Sequence, residues 1–380
     1  MSIIIGSDIV PTISNFKEFE NGNMTELIGN KTKDILQSAD FRIFNLETPL
    51  TDVSSPIHKN GPNLIATTKC INGYKALGID LLTVANNHIM DQGVIGLDST
   101  LSVLDKNEIA YVGAGENLDA AQKPYIFELN NTKIGVYACA EHEFSIASDS
   151  MPGANPFDPL ESFDHVTDLK QKCDKVIVLY HGGKEHYRYP SPYLQKVCRK
   201  FIEKGADILI CQHSHCIGCE EKYLNGTIVY GQGNFLFGDH DSEFWQTSLL
   251  ILIDENFEIK YIPLEKTGNG IRLAESERAN EIINEFYKRS NEIKDEDFIQ
   301  KKYDEFSNEM IDGYLFGSSG IKYNFFMKVI NKLCCGSFIR CIVEKQYPLR
   351  KLLAMLNYLE CEAHKELFVT GLKNKISNKK

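Results

Sequence analysis

The sequence lacks any hydrophobic run that approaches the roughly 20 apolar residues of a membrane-spanning helix. Its first six residues contain no basic segment, and the apolar stretch there is too short for a secretory signal. Internal repeats and low-complexity tracts are also missing. These absences predict a cytoplasmic protein, at 380 residues long enough for one large domain and a smaller one.

Cysteines in paired spacing are largely lacking as well. The chain has eleven, an odd number scattered along the sequence, which indicates a reducing compartment and not a disulfide framework. Cys216 and Cys219 have the spacing of a zinc knuckle. No second Cys-x-x-Cys pair completes the four ligands of a structural zinc site, so this interpretation is the weaker alternative.

Charge is distributed unevenly along the chain. Residues 321–380 contain 12 Lys and Arg against 4 Asp and Glu, a net charge of +8, whereas the remainder contains 29 against 48, a net charge of −19. An acidic body argues against nucleic acid as a partner of the main domain. The basic tail is a candidate for docking on a membrane or an anionic partner.

The apolar pattern predicts strands and helices in alternation. Short β-branched runs predict buried strands, and apolar residues at helical spacing predict helices between them. The predicted strands are 3–5, 41–45, 81–84, near 111, 125–129, 133–139, 176–180, 208–211, 247–253 and 258–264; helices are predicted at 23–38, 68–77, from 97 and 194–202, and beyond about 272. Polar residues concentrate where the strands end.

Three histidines follow two of these strands. His181 ends the strand at 176–180, and His213 and His215 follow the strand at 208–211. Two histidines two apart in an extended segment project to one side, so we expect a metal site in the crevice above the sheet. Taken singly, each histidine also fits a satisfied polar residue. Asp8, just past the first strand, is either a helix N-cap or a metal ligand.

A series of short motifs occurs in a fixed order along the chain. They are Gly6-Ser7-Asp8, Asn45-Leu46-Glu47, Ala85-Asn86-Asn87-His88 with Asp91 and Gly93, Gly113-Ala114-Gly115, His181-Gly182-Gly183, Gly205-Ala206-Asp207, His213-x-His215 and Gly233-Asn234-Phe235. Over about residues 1–265 the chain resembles the CapA family of poly-gamma-glutamate and capsule biosynthesis proteins, within the calcineurin-like metallophosphoesterase superfamily.

The resemblance implies an α/β (α+β) fold, a four-layer αββα sandwich, with residues 1–270 as the metallophosphoesterase-like domain and 271–380 as a helical extension ending in the basic tail. It also implies two divalent metal ions, for which mixed carboxylate, amide and imidazole ligands favour Mn, Fe or Zn. The implied first-metal ligands are Asp8 and His215, the bridging ligand is Glu47, the second-metal ligands are Asn87, His181 and His213, and the catalytic residue beside the substrate is His88.

Three positions depart from the superfamily pattern. Val10 stands where a metal-binding histidine is usual, Glu47 replaces the bridging aspartate, and Gln212 replaces a glycine. We therefore expect the first metal position to be the weaker one, with His142 as a candidate for the missing ligand.

The resemblance implies a metal-dependent hydrolase, most simply a phosphoesterase, in the biosynthesis of a capsule or other cell-surface polymer. The expected substrate is a small molecule or polymer that is phosphorylated or glutamyl in nature. One alternative is a gamma-glutamyl amide hydrolase or transferase at the same metals. The other is a non-catalytic scaffold of a capsule assembly complex, with membrane or complex contact through the tail.

Overall fold

The structure is a computed structural model that describes residues 1–323, 325–334 and 337–378. Within these ranges it contains sixteen strands, thirteen α-helices and two short 3₁₀ helices, Thr68–Cys70 and Glu243–Trp245. The strands are β1 Ile3–Ile9, β2 Phe41–Leu46, β3 Leu81–Thr83, β4 Ala110–Val112, β5 Ala114–Gly115, β6 Tyr125–Leu129, β7 Thr132–Ala140, β8 Gly153–Ala154, β9 Lys175–His181, β10 Ile208–Gln212, β11 Glu220–Tyr223, β12 Gly226–Tyr230, β13 Asn234–Leu236, β14 Thr247–Ile253, β15 Ile259–Thr267 and β16 Gly270–Leu273. The helices are α1 Phe16–Asn21, α2 Met24–Ser38, α3 Ile71–Ala76, α4 Gly93–Lys106, α5 Leu118–Ala121, α6 Ser162–Lys172, α7 Pro192–Glu203, α8 Ser276–Glu292, α9 Glu296–Ser318, α10 Phe325–Leu333, α11 Ser337–Gln346, α12 Leu349–Glu360 and α13 Glu362–Ser377.

Two large mixed sheets organise the first part of the chain. One has the strand order β16-β15-β14-β1-β2-β3-β4, with β13 also paired to β1; its members β1 to β4 and β13 are parallel. The other has the order β11-β12-β10-β9-β7-β6, parallel except for its two edge strands. Parallel strands place their carboxyl ends at one edge of each sheet, where ligand sites form.

Alternating side chains of the strands build separate cores on the two faces of each sheet. Ile3 and Ile5 pack into a core shared with strands of the second sheet, whereas Ile4 packs against helices α1 to α4. The outer face of the second sheet packs against α6 and α7 through residues such as Leu169 and Phe201. The layers are therefore stacked in the order helix, sheet, sheet, helix, and the predicted four-layer sandwich is confirmed.

Strand β1 runs further than its apolar start suggested. The strand continues through Gly6 to Ile9, with an irregular register between Ile5 and Asp8 where it pairs with β2. Asp8 therefore lies within a strand, and the alternative of a helix N-cap is wrong because α1 begins only at Phe16.

The chain divides into two compact units, residues 1–300 and 301–380. The second unit is helical, as predicted, and contains a small core of Leu315, Phe316, Val343 and Tyr347. The proposed family-domain boundary after residue 270 stays a prediction. In the part of the chain that the structure describes, no helix combines the length and apolarity needed to cross a bilayer.

Candidate metal centre

The predicted ligands come from the carboxyl ends of strands in both sheets. Asp8 lies in β1, Glu47 follows β2 directly, and His181 is the last residue of β9. The loops after β3 and β10 supply the remaining ligands, Asn87, His213 and His215. All of them are almost completely buried except His213, which is partly accessible. The structure thus brings together residues that are up to 207 positions apart, Asp8 and His215.

Three ligand atoms of the predicted second metal position lie close to one ring nitrogen, Nε2 of His181. His181 Nε2 lies 3.1 Å from Asn87 Oδ1, 3.2 Å from Glu47 Oε1 and 3.2 Å from His213 Nδ1. Two ligand atoms bound to one ion at about 2.1 Å and at a right angle lie about 3.0 Å apart. The four side chains are therefore spaced as donors to a common ion.

The first position is built around Asp8 and His215. Asp8 Oδ2 lies 3.5 Å from His215 Nδ1, and Asp8 Oδ1 accepts a hydrogen bond of 2.8 Å from Asn45 Nδ2. Asn45 Oδ1 in turn accepts from Thr83 Oγ1 and Asn86 Nδ2. This amide network orients the Asp8 carboxylate and leaves its Oδ2 towards His215.

Unpaired oxygens indicate that these residues suit a cation. Asp8 Oδ2 and both carboxylate oxygens of Glu47 are buried without a hydrogen-bond partner, and Glu47 is 0% exposed. Their nearest polar neighbours are the imidazoles of His181 and His215, and burial of charge with so little compensation costs on the order of several kcal/mol. Glu47, His213 and His215 have donor atoms within 4.8 Å of one another, the single such group found among the described residues. The donor set fits a divalent metal of the Mn, Fe or Zn type.

The charge state of the histidines follows from their surroundings. Burial and the neighbouring His181 and His215 hold the pKa of His213 well below its usual value, so its ring is neutral and has a free lone pair. Burial opposes a charge on His215, yet Glu47, Asp8 and Asn234 raise its pKa to about 9. Without metal, His215 therefore holds a proton between carboxylates, at a point that favours positive charge.

The backbone conformation of His213 and His215 differs from the predicted one. We expected an extended segment, but β10 ends at Gln212, and His213 and His215 have φ of 87° and 54°. Such left-handed conformations cost about 1–3 kcal/mol at residues other than glycine and cluster at functional sites. Their rings nevertheless face one site, with centroids 5.9 Å apart.

His88 takes part in a buried charged cluster beside these ligands. Its Nδ1 lies 2.6 Å from Asp91 Oδ2, which also accepts a hydrogen bond of 2.6 Å from the backbone N–H of Leu64. Lys59 pairs with Asp91 Oδ1, and its ammonium lies 3.4 Å from His88 Nδ1. Asp91 follows His88 by three residues in a turn closed by its backbone N–H to the His88 carbonyl, and Lys59 comes from a loop without a recognisable pattern; neither had a predicted role.

Three candidate ligands, His142, Cys216 and Cys219, have other surroundings. His142 Nε2 lies 3.1 Å from the carbonyl oxygen of Phe157, and Val10 is a buried apolar side chain that offers no donor. Cys216 and Cys219 are fully buried, and burial raises the pKa of Cys216 to about 11. Neither cysteine joins a potential metal group among the described residues, so the structure adds no support for the zinc-knuckle alternative.

Comparison with known proteins places the chain in a family. The profile described as "Bacterial capsule synthesis protein PGA_cap" matches residues 8–239, more than half of the chain. The chain belongs to this family. The matched region includes every predicted ligand and His88.

Relatives in this family are moderately similar. The capsule biosynthesis protein CapA of Bacillus anthracis is 28% identical over 230 residues, which cover 58% of this chain and 56% of that protein. The PGA biosynthesis protein CapA of Bacillus subtilis is 29% identical over 268 residues, 68% of this chain and 70% of that protein. A probable polyglutamine synthesis accessory protein of Mycobacterium tuberculosis is 26% identical over 240 residues, 57% of this chain and 61% of that protein.

Solved structures with similar strand arrangements are more distant. A putative 5′-nucleotidase from Staphylococcus aureus has a TM-score of 0.44 at 15% identity, with 76% of this chain and 58% of that chain covered. A phosphatase from Mycoplasma pneumoniae has a TM-score of 0.44 at 17% identity, with 70% of this chain and 94% of that chain covered. At these values the likeness assigns no activity. The roles of the six ligands and of His88 stay predictions.

Proposed function

We propose that this capsule synthesis family member is a metal-dependent hydrolase that acts on a phosphoester during biosynthesis of a capsule or poly-gamma-glutamate-like polymer. The observation that carries the proposal is the convergence of buried, unpaired carboxylate oxygens and imidazoles beside the charged cluster of His88. The names of the Bacillus relatives supply the biological setting, and the donor set supplies the chemistry.

Two divalent ions would be held by the assigned residues. Asp8 and His215 would hold the first ion, Asn87, His181 and His213 the second, with Glu47 between them. Divalent ions in such a site act as Lewis acids on a phosphoryl or carbonyl oxygen. Burial opposes a charge on Asp8, yet its contacts with His215, His181 and Asn45 hold its pKa below the usual value, and neutral His213 offers a lone pair to a cation.

The protein's own proton donor is His88. Asp91 contacts Nδ1 of its ring, so the other ring nitrogen, Nε2, is the one available to a substrate. Lys59 pairs with the other oxygen of Asp91 and its ammonium also lies 3.4 Å from His88 Nδ1, so both groups hold the ring by this nitrogen. We therefore assign His88 to protonation of the leaving group, or to stabilisation of the oxygen on which charge develops.

A non-catalytic accessory role is the competing function, and the name of the Mycobacterium relative favours it. A non-catalytic scaffold would need only the metal ligands. It has no use for a buried lysine and aspartate arranged around a histidine that is not a ligand, and these three residues support the enzymatic proposal. An amide hydrolase would use the same groups, so the substrate class has to be decided by assay.

The test combines metal analysis with a substrate screen. Purified protein is loaded with Mn²⁺, Fe²⁺ or Zn²⁺, its metal content is measured, and phosphomonoesters, phosphodiesters and gamma-glutamyl amides are supplied in parallel. We expect two ions per chain and phosphoester turnover that His88→Asn reduces strongly. Turnover of glutamyl amides alone would reassign the substrate, and full metal content without any turnover would support the accessory role.

The basic tail is proposed to dock on an anionic phospholipid membrane. Helix α10 exposes Phe325 and Phe326 to 74% and 76%, and Leu333 to 78%. The segment 321–334 contains Lys322, Lys328 and Lys332 but no acidic residue. Exposed aromatic and aliphatic residues with interleaved lysines are typical of helices that lie in a lipid interface, and the charge complements anionic lipids.

A further inference from the structure

We propose that Asn234 is a protein ligand of the first metal position, supplying through Oδ1 the donor that Val10 does not offer. The inference rests on the proposed metal function and identifies a residue to which the sequence analysis assigned no role. It follows from the pairing of two strands, from the distances that join His215 to Asp8 and to Asn234, and from the burial of the amide.

Strand pairing places Asn234 beside Asp8. β13 runs parallel to β1, and within this pair Asp8 is the register partner of Asn234. Partners in register project their side chains to the same face of a sheet, so both point towards the carboxyl edge where the ligands collect.

The backbone conformation of the turn that leads into β13 is tightly constrained. Gly233 has φ of 76°, and a Cβ there would lie 2.6 Å from the carbonyl oxygen of Thr247, which requires glycine at this position. The Ser7 hydroxyl donates a hydrogen bond to the carbonyl oxygen of Gly233. The residue before Asp8 is thus tied to the residue before Asn234, and the two side chains are held side by side.

Nδ1 of His215 lies between donor oxygens of Asn234 and Asp8, at distances close to those between ligands of one ion. Asn234 Oδ1 lies 2.8 Å from His215 Nδ1, and the same nitrogen lies 3.5 Å from Asp8 Oδ2. Ligand atoms at about 2.1 Å from a common metal, with angles from a right angle to tetrahedral, lie about 3.0 to 3.4 Å apart. The two distances, 2.8 and 3.5 Å, lie just below and just above this range.

The burial of the amide also fits a ligand. Asn234 is 7% exposed, and its Nδ2 is buried without a hydrogen-bond partner. Oδ1 contacts His215 Nδ1 at 2.8 Å. An amide oxygen is a neutral hard donor of the same kind as the one Asn87 would supply to the second ion.

This assignment changes the expected balance between the two ions. Counting three donors at the first position, namely Asp8, Glu47 and His215, led us to expect weak binding there. With Asn234 each position has four protein donors, Glu47 being shared, and the basis for a weaker first position disappears. We therefore expect wild-type protein to hold two ions with similar resistance to chelation.

A positioning role is the alternative that the experiment has to separate. In that case Asn234 Oδ1 only accepts a hydrogen bond from His215 Nδ1–H, and the ring binds metal through its other nitrogen. Removing a residue that orients a metal-binding histidine typically lowers metal affinity by about 10–100-fold. Removing a ligand should lower it further and also open a coordination position to water.

The probe is Mn²⁺, measured by binding titration, by elemental analysis after gel filtration, and by relaxation of water protons, which counts water molecules bound directly to the ion. The proteins are the wild type, Asn234→Ala, Asn234→Asp and the matched control Asn155→Ala. Asn155 is also buried and also has an amide atom without a partner, but it lies outside the ligand set. Circular dichroism verifies the fold of each variant.

We expect two ions in the wild type, in Asn155→Ala and in Asn234→Asp, whose carboxylate can replace the amide oxygen. In Asn234→Ala one ion should bind more than about 100-fold more weakly, beyond the range typical of an orienting residue, and saturating Mn²⁺ should carry one additional water. Unchanged affinity, or weaker binding with an unchanged water count, would overturn the assignment but leave the proposed function standing. Absence of Mn²⁺ from the wild type would overturn both.

Discussion

Replacing Lys59 by methionine should destabilise the first unit by about 3 kcal/mol, because it leaves the carboxylate of Asp91 buried without its cation. Asp91 is 0% exposed and the side chain of Lys59 only 3%. Breaking a buried ion pair costs about 3–5 kcal/mol. The lower end applies here because Asp91 keeps two contacts, to the ring of His88 and to the backbone N–H of Leu64.

The measurement is urea unfolding followed by the fluorescence of Trp245. This residue is the one tryptophan of the chain and lies in the first unit, so its signal reports on that unit. A chelator is present throughout, because bound metal would add its own stabilisation. Lys31→Met is the matched control: its ion pair with Glu275 is 68% and 57% exposed, and its loss should cost less than about 1 kcal/mol.

A double-mutant cycle tests the physical reason directly. Asp91→Asn removes the negative charge, so adding Lys59→Met to it should cost much less than Lys59→Met alone, with a coupling energy of about 2 kcal/mol. If the two substitutions add to within about 0.5 kcal/mol, the pair is not energetically coupled and the reasoning fails. A cost of Lys59→Met no larger than that of Lys31→Met would refute it equally.

Three further predictions concern the site and the tail. His88→Asn should keep its metal while turnover falls by about 10²–10⁴-fold, because a positioned proton donor is lost; metal content and kinetics are measured on the same sample. Glu47→Gln should lose both ions in elemental analysis, because the bridging carboxylate serves each of them. Neutralising Lys322, Lys328 and Lys332 with glutamine should weaken binding to anionic vesicles roughly 100-fold at low salt, at about 1 kcal/mol per lysine.

Each of these three predictions has a control and a contradictory outcome. Loss of metal from His88→Asn would make this residue a ligand. Retention of one ion by Glu47→Gln, with Asp207→Asn as the reference carboxylate variant, would exclude a bridge. For the tail, the control neutralises three exposed lysines of the first unit, Lys200, Lys260 and Lys288. Equal loss of vesicle binding in both triple variants would mean that net charge alone, and not the tail, decides binding.

Local pattern was sufficient to predict most of the fold. In β1 the run of isoleucines serves two cores at once, so a continuous apolar stretch correctly indicated a strand buried on both faces. The helix before Gly205 was equally clear, since α7 begins with Ser191 capping the N–H of Leu194 and Gly205 follows its end with φ of 115°. These features depend on residues that are close in sequence.

The parts of the site that the sequence did not reveal depend on distant residues. Asn234 reaches the site only because β13 pairs with β1, and nothing in a local window specifies a partner 226 positions away. Lys59 comes from a loop that is held over His88 by backbone contacts, such as that of Ile57 with Asp91. The backbone conformation of His213 could not be predicted either. Its positive φ is imposed by the surrounding structure against the preference of the residue itself.

The unsatisfied oxygens of Asp8 and Glu47 connect the site to the stability of the fold. Without a metal ion the cost of their burial is offset only by the imidazoles of His181 and His215, and the left-handed conformations of His213 and His215 add to this cost. An ion that binds only the folded chain recovers this cost, and at 100 times its dissociation constant it contributes about 2.7 kcal/mol. Two such ions would contribute twice that amount, comparable to the loss of a buried ion pair. The stability of the first unit and its proposed chemistry therefore depend on the same ligands.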